Sequence, residues 1–172
     1  MTEELMREEL IQAHLNMREH LYRIIDGLTQ ELLLKEVSDE SQYPHMLSLI
    51  WHIGGAETYW FHRANHDIAP RFTIESFDDI QKKLRENTEG IKRVLRECDS
   101  KQIQIVSPNE EGGPSVAWCI LRTYQHGIYH TAQISKMRHM IEGSPPLSGN
   151  DESWNNAVDS VIEIVKKLYE NR

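Results

Sequence analysis

Apolar residues recur along most of the chain at steps of three and four, the period of a helix with one buried face. In the first such stretch Leu10, His14, Met17, Leu21 and Ile24 form the stripe, predicting a helix over residues 2–25. Thr2 suits its N-cap, Glu3 and Glu4 complement the positive end of the helix dipole, and Gly27 supplies a stop. Residues 28–34 form a short apolar piece with room for a helical turn. Pro44 suits the first turn of a second helix over residues 44–65, whose inner face is expected to carry Leu47, Ile50, Trp51, Gly54, Gly55, Thr58 and Tyr59. Trp60 and Phe61 widen its apolar coverage, which predicts burial on more than one side. Gly54 and Gly55 each cost a helix about 1 kcal/mol relative to Ala, so a close approach of another helix or of a ligand is expected there.

After a connection containing Pro70, Ser76 is the expected cap of a third helix over residues 77–98, with Asp78 and Asp79 in its first turn. Ile80, Leu84, Asn87, Ile91 and Leu95 make its stripe, opposite a solvated charged face. Residues 99–114 are polar, with a short alternating patch at Ile103, Ile105 and Val106 and a turn at Gly112, Gly113 and Pro114. A fourth helix is predicted over residues 115–142, ended by Gly143, Pro145 and Pro146. Asp151 can cap a last helix over residues 151–169, with Trp154, Val158, Val161, Ile162, Val165 and Leu168 facing inward. Five helical segments without a strand predict an all-α bundle in a single domain spanning residues 1–172.

Composition narrows the function classes. The 172 residues suffice for a sizeable core, and 39% hydrophobic with 27% charged residues is ordinary for a globular protein. A net charge of −8 without a Lys/Arg cluster argues against a nucleic-acid partner. The two cysteines, Cys98 among charges and Cys119 in an apolar run, are expected as unpaired thiols in a reducing compartment. The acidic start lacks a signal-peptide core, and the longest apolar run is too short and too polar for a membrane span. A soluble, cytoplasmic protein with no membrane partner is the expectation.

The candidate chemistry lies in the fourth helix. His126 and His130 stand four residues apart, which on a helix puts two imidazoles on one face with Cβ atoms roughly 5–6 Å apart. Two such rings can ligate one cation, and His52 on the second helix is the best candidate for a third nitrogen. The other histidines are expected in packing or surface roles: His14 on the apolar stripe, His20 off it, and His45, His62, His66 and His139 too far along their helices to join the three. Glu57, five residues after His52, points well round the helix and is expected to be exposed. Gln133 either lines a pocket or packs, and Tyr124 and Tyr129 are open between the same two roles, with packing the favoured one.

Together these residues resemble a family. Trp51-His52 in a Leu-x-x-Ile-Trp-His context, His126-x-x-x-His130-x-x-Gln133-Ile134, then Arg138, Gly143, Pro145 and Pro146 are similar to the pattern of the DinB/YfiT-like superfamily over essentially the whole chain. The resemblance implies a four-helix bundle of up-down-down-up topology, here with an additional C-terminal helix. It also implies a divalent cation, nickel or zinc, held by His52, His126 and His130. The chain departs from the common pattern at Thr131 and Ala132, on the substrate side of the expected pocket. Members include bacillithiol S-transferases, so the resemblance implies a metal-dependent enzyme acting on small molecules, with a low-molecular-weight thiol as partner, and makes a homodimer plausible.

Three neutral imidazoles leave coordination positions open, as in catalytic rather than structural zinc sites. A cation so held lowers the pKa of a bound water or thiol and polarises an electrophile. Thiol transfer and hydrolysis both follow from that chemistry. A non-enzymatic metal- or ligand-binding module, or an interaction protein of helical-bundle type, is the alternative.

Overall fold

The computed structural model describes residues 3–37, 42–70, 79–143 and 152–170, with the side chains of 168–170 excepted. The expected caps Thr2, Ser76 and Asp151, together with Asp78, Pro145 and Pro146, lie outside these residues. Among the described residues the structure is all-helical: α1 (Glu3–Ile25), the short α2 (Gln30–Leu34), α3 (Met46–Arg63), α4 (Asp79–Glu97), a 3-10 turn at Ser100–Ile103, α5 (Val116–Glu142) and α6 (Glu152–Glu170). None of the described helices is long and apolar enough to cross a membrane.

Local chemistry accounts for the ends of the elements. Ser115 caps α5 by accepting from the Trp118 amide at 3.2 Å, and Gly143, at φ 69°, takes the left-handed conformation that closes it. At α3 the expectation was displaced. Pro44 does not open the helix; His45 caps it instead, its Nδ1 accepting from the Ser48 amide at 3.0 Å. Asn65, at φ 61°, turns the chain out of the same helix.

The predicted stripes of α1 and α4 are buried as expected. The inner face of α3 is rotated from its prediction. Ile50 and Gly54 are inside, together with Met46, Leu49, Ile53, Glu57 and Phe61. Trp51 is 44% and Tyr59 53% exposed, because the broad aromatic coverage of α3 lines an open cleft as well as the core. Ile162 and Val165 of α6 are likewise exposed rather than inward; Ser153, Ala157 and Ile164 take the buried positions.

The apolar core forms two clusters, and their membership sets the direction of each helix. One cluster joins Leu10 and Met17 to Phe61, Ile91, Leu95, Ile120 and Tyr124. The other joins Leu21 and Ile24 to Leu49, Ile53, Ile80, Leu84 and Ile134. Passing from the first cluster to the second runs forward along α1 and α5 but backward along α3 and α4, so the bundle is up-down-down-up. Helix α6 lies against α1 and runs opposite to it, as the contacts Asn16–Ser160 and Lys167–Glu9 require.

Between the two clusters α1, α3 and α4 contribute polar side chains. Arg18 of α1 donates to Glu57 of α3 at 2.6 Å, and Asn87 of α4 donates to the other Glu57 oxygen at 2.9 Å and to the Gly54 carbonyl at 3.0 Å. His14 and Thr88 complete the layer. Two glycines allow close approaches, Gly90 to a backbone and Gly127 to a side chain. A Cβ on Gly90 would lie 1.7 Å from the Ile68 carbonyl oxygen, and one on Gly127 would lie 2.5 Å from the sulfur of Met17.

Candidate metal centre

The packing of α3 against α5 brings His52 to His126 and His130. The spacing of four residues on α5 sets two of the rings side by side, with centroids 4.4 Å apart. The third ring comes from an antiparallel helix and lies 4.6 Å from His126 and 4.8 Å from His130. One ligand-type nitrogen from each of the three falls within 4.8 Å of the others, and the Nε2 atoms of His52 and His126 are only 2.9 Å apart.

One tautomer is set by a neighbour. The Nδ1 of His130 lies 2.6 Å from Oε1 of Gln133. An amide oxygen only accepts, so Nδ1 carries the proton and Nε2 keeps a free lone pair. Gln133 is itself oriented by donating to the Tyr129 hydroxyl at 3.2 Å. The rings are further framed by Tyr43, 4.5 Å from His52 and edge-on to His130 at 5.8 Å, and by Tyr129, 5.0 Å from His130.

Electrostatics favour uncharged rings. Burial, and then the neighbouring His130 and His52, push the His126 pKa down to about 4. Burial and His130 lower that of His52, and burial lowers that of His130 against the opposing effect of the hydrogen bond it donates to Gln133. Neutral imidazole is the form that coordinates a cation. Three neutral rings with converging nitrogens therefore make a donor set that could hold a divalent transition metal.

The group opens on a cleft of about 750 Å³ lined by Trp51, His52, Gly55, Tyr59, Trp60, Arg122 and His126, among others. His130 sits deeper, 7% exposed. An enzyme site of this type has a concave approach with a few polar groups near its reactive end, and the cleft has that form.

The remaining histidines stay away from the three. His14 and His20 are buried, and His20 contacts Ser153 and Trp154 of α6. His45 is a helix cap, His62 is exposed beside Asp67, and His139 is exposed. Glu57 overturns its expectation: it is 1% exposed, because its position five residues past His52 turns it into the polar layer facing Arg18 and Asn87. Tyr124 is fully buried, its hydroxyl donating to the Leu10 carbonyl. The sequence reading missed Tyr43 and Arg122. Arg122 had a legible signal, one turn before His126 on the same face; Tyr43 precedes α3, and only the folded chain places it against the rings.

A family model, that of the DinB superfamily, matches residues 12–134. The chain belongs to the DinB superfamily. The matched span takes in the three histidines and every element that positions them. No curated protein and no solved structure matches the chain.

Proposed function

We propose that this DinB-superfamily protein is a metal-dependent enzyme acting on small molecules, with His52, His126 and His130 holding one divalent ion, nickel or zinc. Its leading activity in this reading is transfer of a low-molecular-weight thiol, as in a bacillithiol-type S-transferase; hydrolysis is the competing outcome. The observation that carries the reading is the convergence of three neutral imidazoles at the head of an open cleft. A bound divalent ion would supply Lewis acidity and favour the anionic form of a thiol or water.

The protein's own residues do the rest. Gln133 keeps the proton on His130 Nδ1, so that Nε2 faces the centre with its lone pair. Tyr43 and Tyr129 limit rotation of the rings. The aromatic walls of the cleft take an apolar substrate body and displace water from the side nearest the histidines. A plain interaction protein has no use for a cleft ending in three converging nitrogens, which disfavours that alternative.

Elemental analysis tests the centre directly. About one equivalent of divalent transition metal is expected in the purified protein, as for a single set of three ligands. The double variant His126→Ala, His130→Ala should lose it while keeping its helical circular dichroism. A parent that stays metal-free after incubation with nickel and with zinc would end the metalloenzyme reading. A screen of small thiols against electrophiles then separates transfer from hydrolysis.

A further inference from the structure

We propose that Arg122, with the aromatic trough formed by Trp51, Tyr59 and Trp60, is a recognition subsite for a carboxylate on the substrate. The inference rests on the proposed function only for which end of the ligand reacts; the subsite itself stands on separate observations.

The first observation is an uncommitted cation. Arg122 lines the cleft and is partly buried. Its Nη1 donates to the neutral side chain of Gln125 at 2.7 Å, and among the described residues no carboxylate pairs with it. A guanidinium carries five donors in a planar fork that matches a carboxylate, so one bond to an amide leaves most of that capacity unused. Among the described residues that line the cleft the one acidic side chain, Asp67, lies 3.1 Å from His62 instead.

The second observation is preorganisation. The Arg122 guanidinium carbon sits 5.9 Å from the centre of the Trp60 ring, which is itself edge-on to Trp118 at 5.0 Å. This cation–π contact, on a ring that also has the Arg63 guanidinium carbon 6.0 Å from its centre, restrains the fork and lowers the entropy lost when a ligand engages it.

The third observation is the shape between the two ends. Arg122 precedes His126 by one turn, about 6 Å along the axis. Trp51, Gly55 and Tyr59 follow one another at four-residue steps on the opposing helix, and nothing lies within 4 Å of where a Gly55 side chain would begin. The trough thus has aromatic sides and a floor without a side chain. A ligand that fits has a reactive group at the histidines, a flat apolar body over Gly55 and a carboxylate at Arg122.

Calorimetric titration with 3-phenylpropanoate and its uncharged analogue 3-phenylpropanamide tests this, on chelated and on metal-loaded protein. The parent should bind the carboxylate about tenfold more tightly than the amide, the scale of one charge-assisted pair. Arg122→Gln should abolish that preference by weakening the carboxylate alone, and Arg122→Lys should restore part of it. Gly55→Leu, which keeps the charge and replaces a poor helix former, should weaken both probes. Equal binding of the two probes to the parent, absence of measurable carboxylate binding, or equal losses of both in Arg122→Gln would each overturn the subsite. The preference in chelated protein reports on Arg122 alone, while metal content reports on the histidines, so failure of one reading is distinguishable from failure of the other.

Discussion

Gln133 shows what a single side chain contributes to the centre. From sequence it was undecided between lining a pocket and packing, because one turn past His130 puts it on the right face without saying what it touches. The fold answers with a 2.6 Å contact to His130 Nδ1. Removing such an outer hydrogen bond typically costs a metal site 10–100-fold in affinity. Gln133→Leu should therefore bind zinc or nickel about 10- to 100-fold more weakly in a competition titration, with unchanged helix content. An unchanged affinity would mean that the ring is held by Tyr43 and Tyr129 alone. His126 and His130 were legible in the sequence because four-residue spacing on a helix is a geometric fact, whereas His52 was legible through the resemblance of its Trp51-His52 context to the family pattern. His45 as a cap was not, since Pro44 offered an equally ordinary helix start.

Helix α3 carries the clearest disagreement between pattern and structure. Its apolar and aromatic residues lie on more than one side, so periodicity could not say which side faces inward. The answer depends on Arg18 and Asn87, 39 and 30 residues away on either side, which draw Glu57 into the interior. That rotation turns Trp51 and Tyr59 outward to the cleft and gives the substrate side its walls. The Arg18–Glu57 pair is almost wholly buried, with side chains 3% and 2% exposed. Breaking a buried pair leaves one charge uncompensated and costs about 3–5 kcal/mol, whereas replacing both members by apolar residues is often neutral. Arg18→Met should lower the unfolding free energy by about that amount in urea titration, and Arg18→Met with Glu57→Leu should recover most of it. A single variant as stable as the parent would show that the pair contributes nothing to holding α1 against α3.

Across the whole molecule, the buried histidines make stability depend on pH. Burial lowers the pKa of His14 well below its ordinary 6.5, and that of His126 to about 4; His52 and His130 shift the same way. Such groups bind fewer protons folded than unfolded, so stability rises with pH across the window between the two values. Chelated protein should accordingly lose stability as pH falls from about 6.5 towards about 4, seen as a lower urea midpoint at pH 5 than at pH 7. Metal retention should fall over the same range, since protons and cations compete for the same lone pairs. A midpoint independent of pH would mean that the rings protonate freely in the fold.

The amino-acid sequence by itself determined the helices, since apolar periodicity and capping chemistry are local, and it determined that His126 and His130 share a face, since helix geometry fixes that; only the fold brings His52 to them. Only the tertiary structure decided which side of α3 faces the core, because that choice depends on a buried ion pair with another helix. It alone also set Tyr43 against the rings and placed Arg122 beside Trp60 with no carboxylate partner among the described residues. These are contacts between residues far apart in the chain, and no local pattern encodes them.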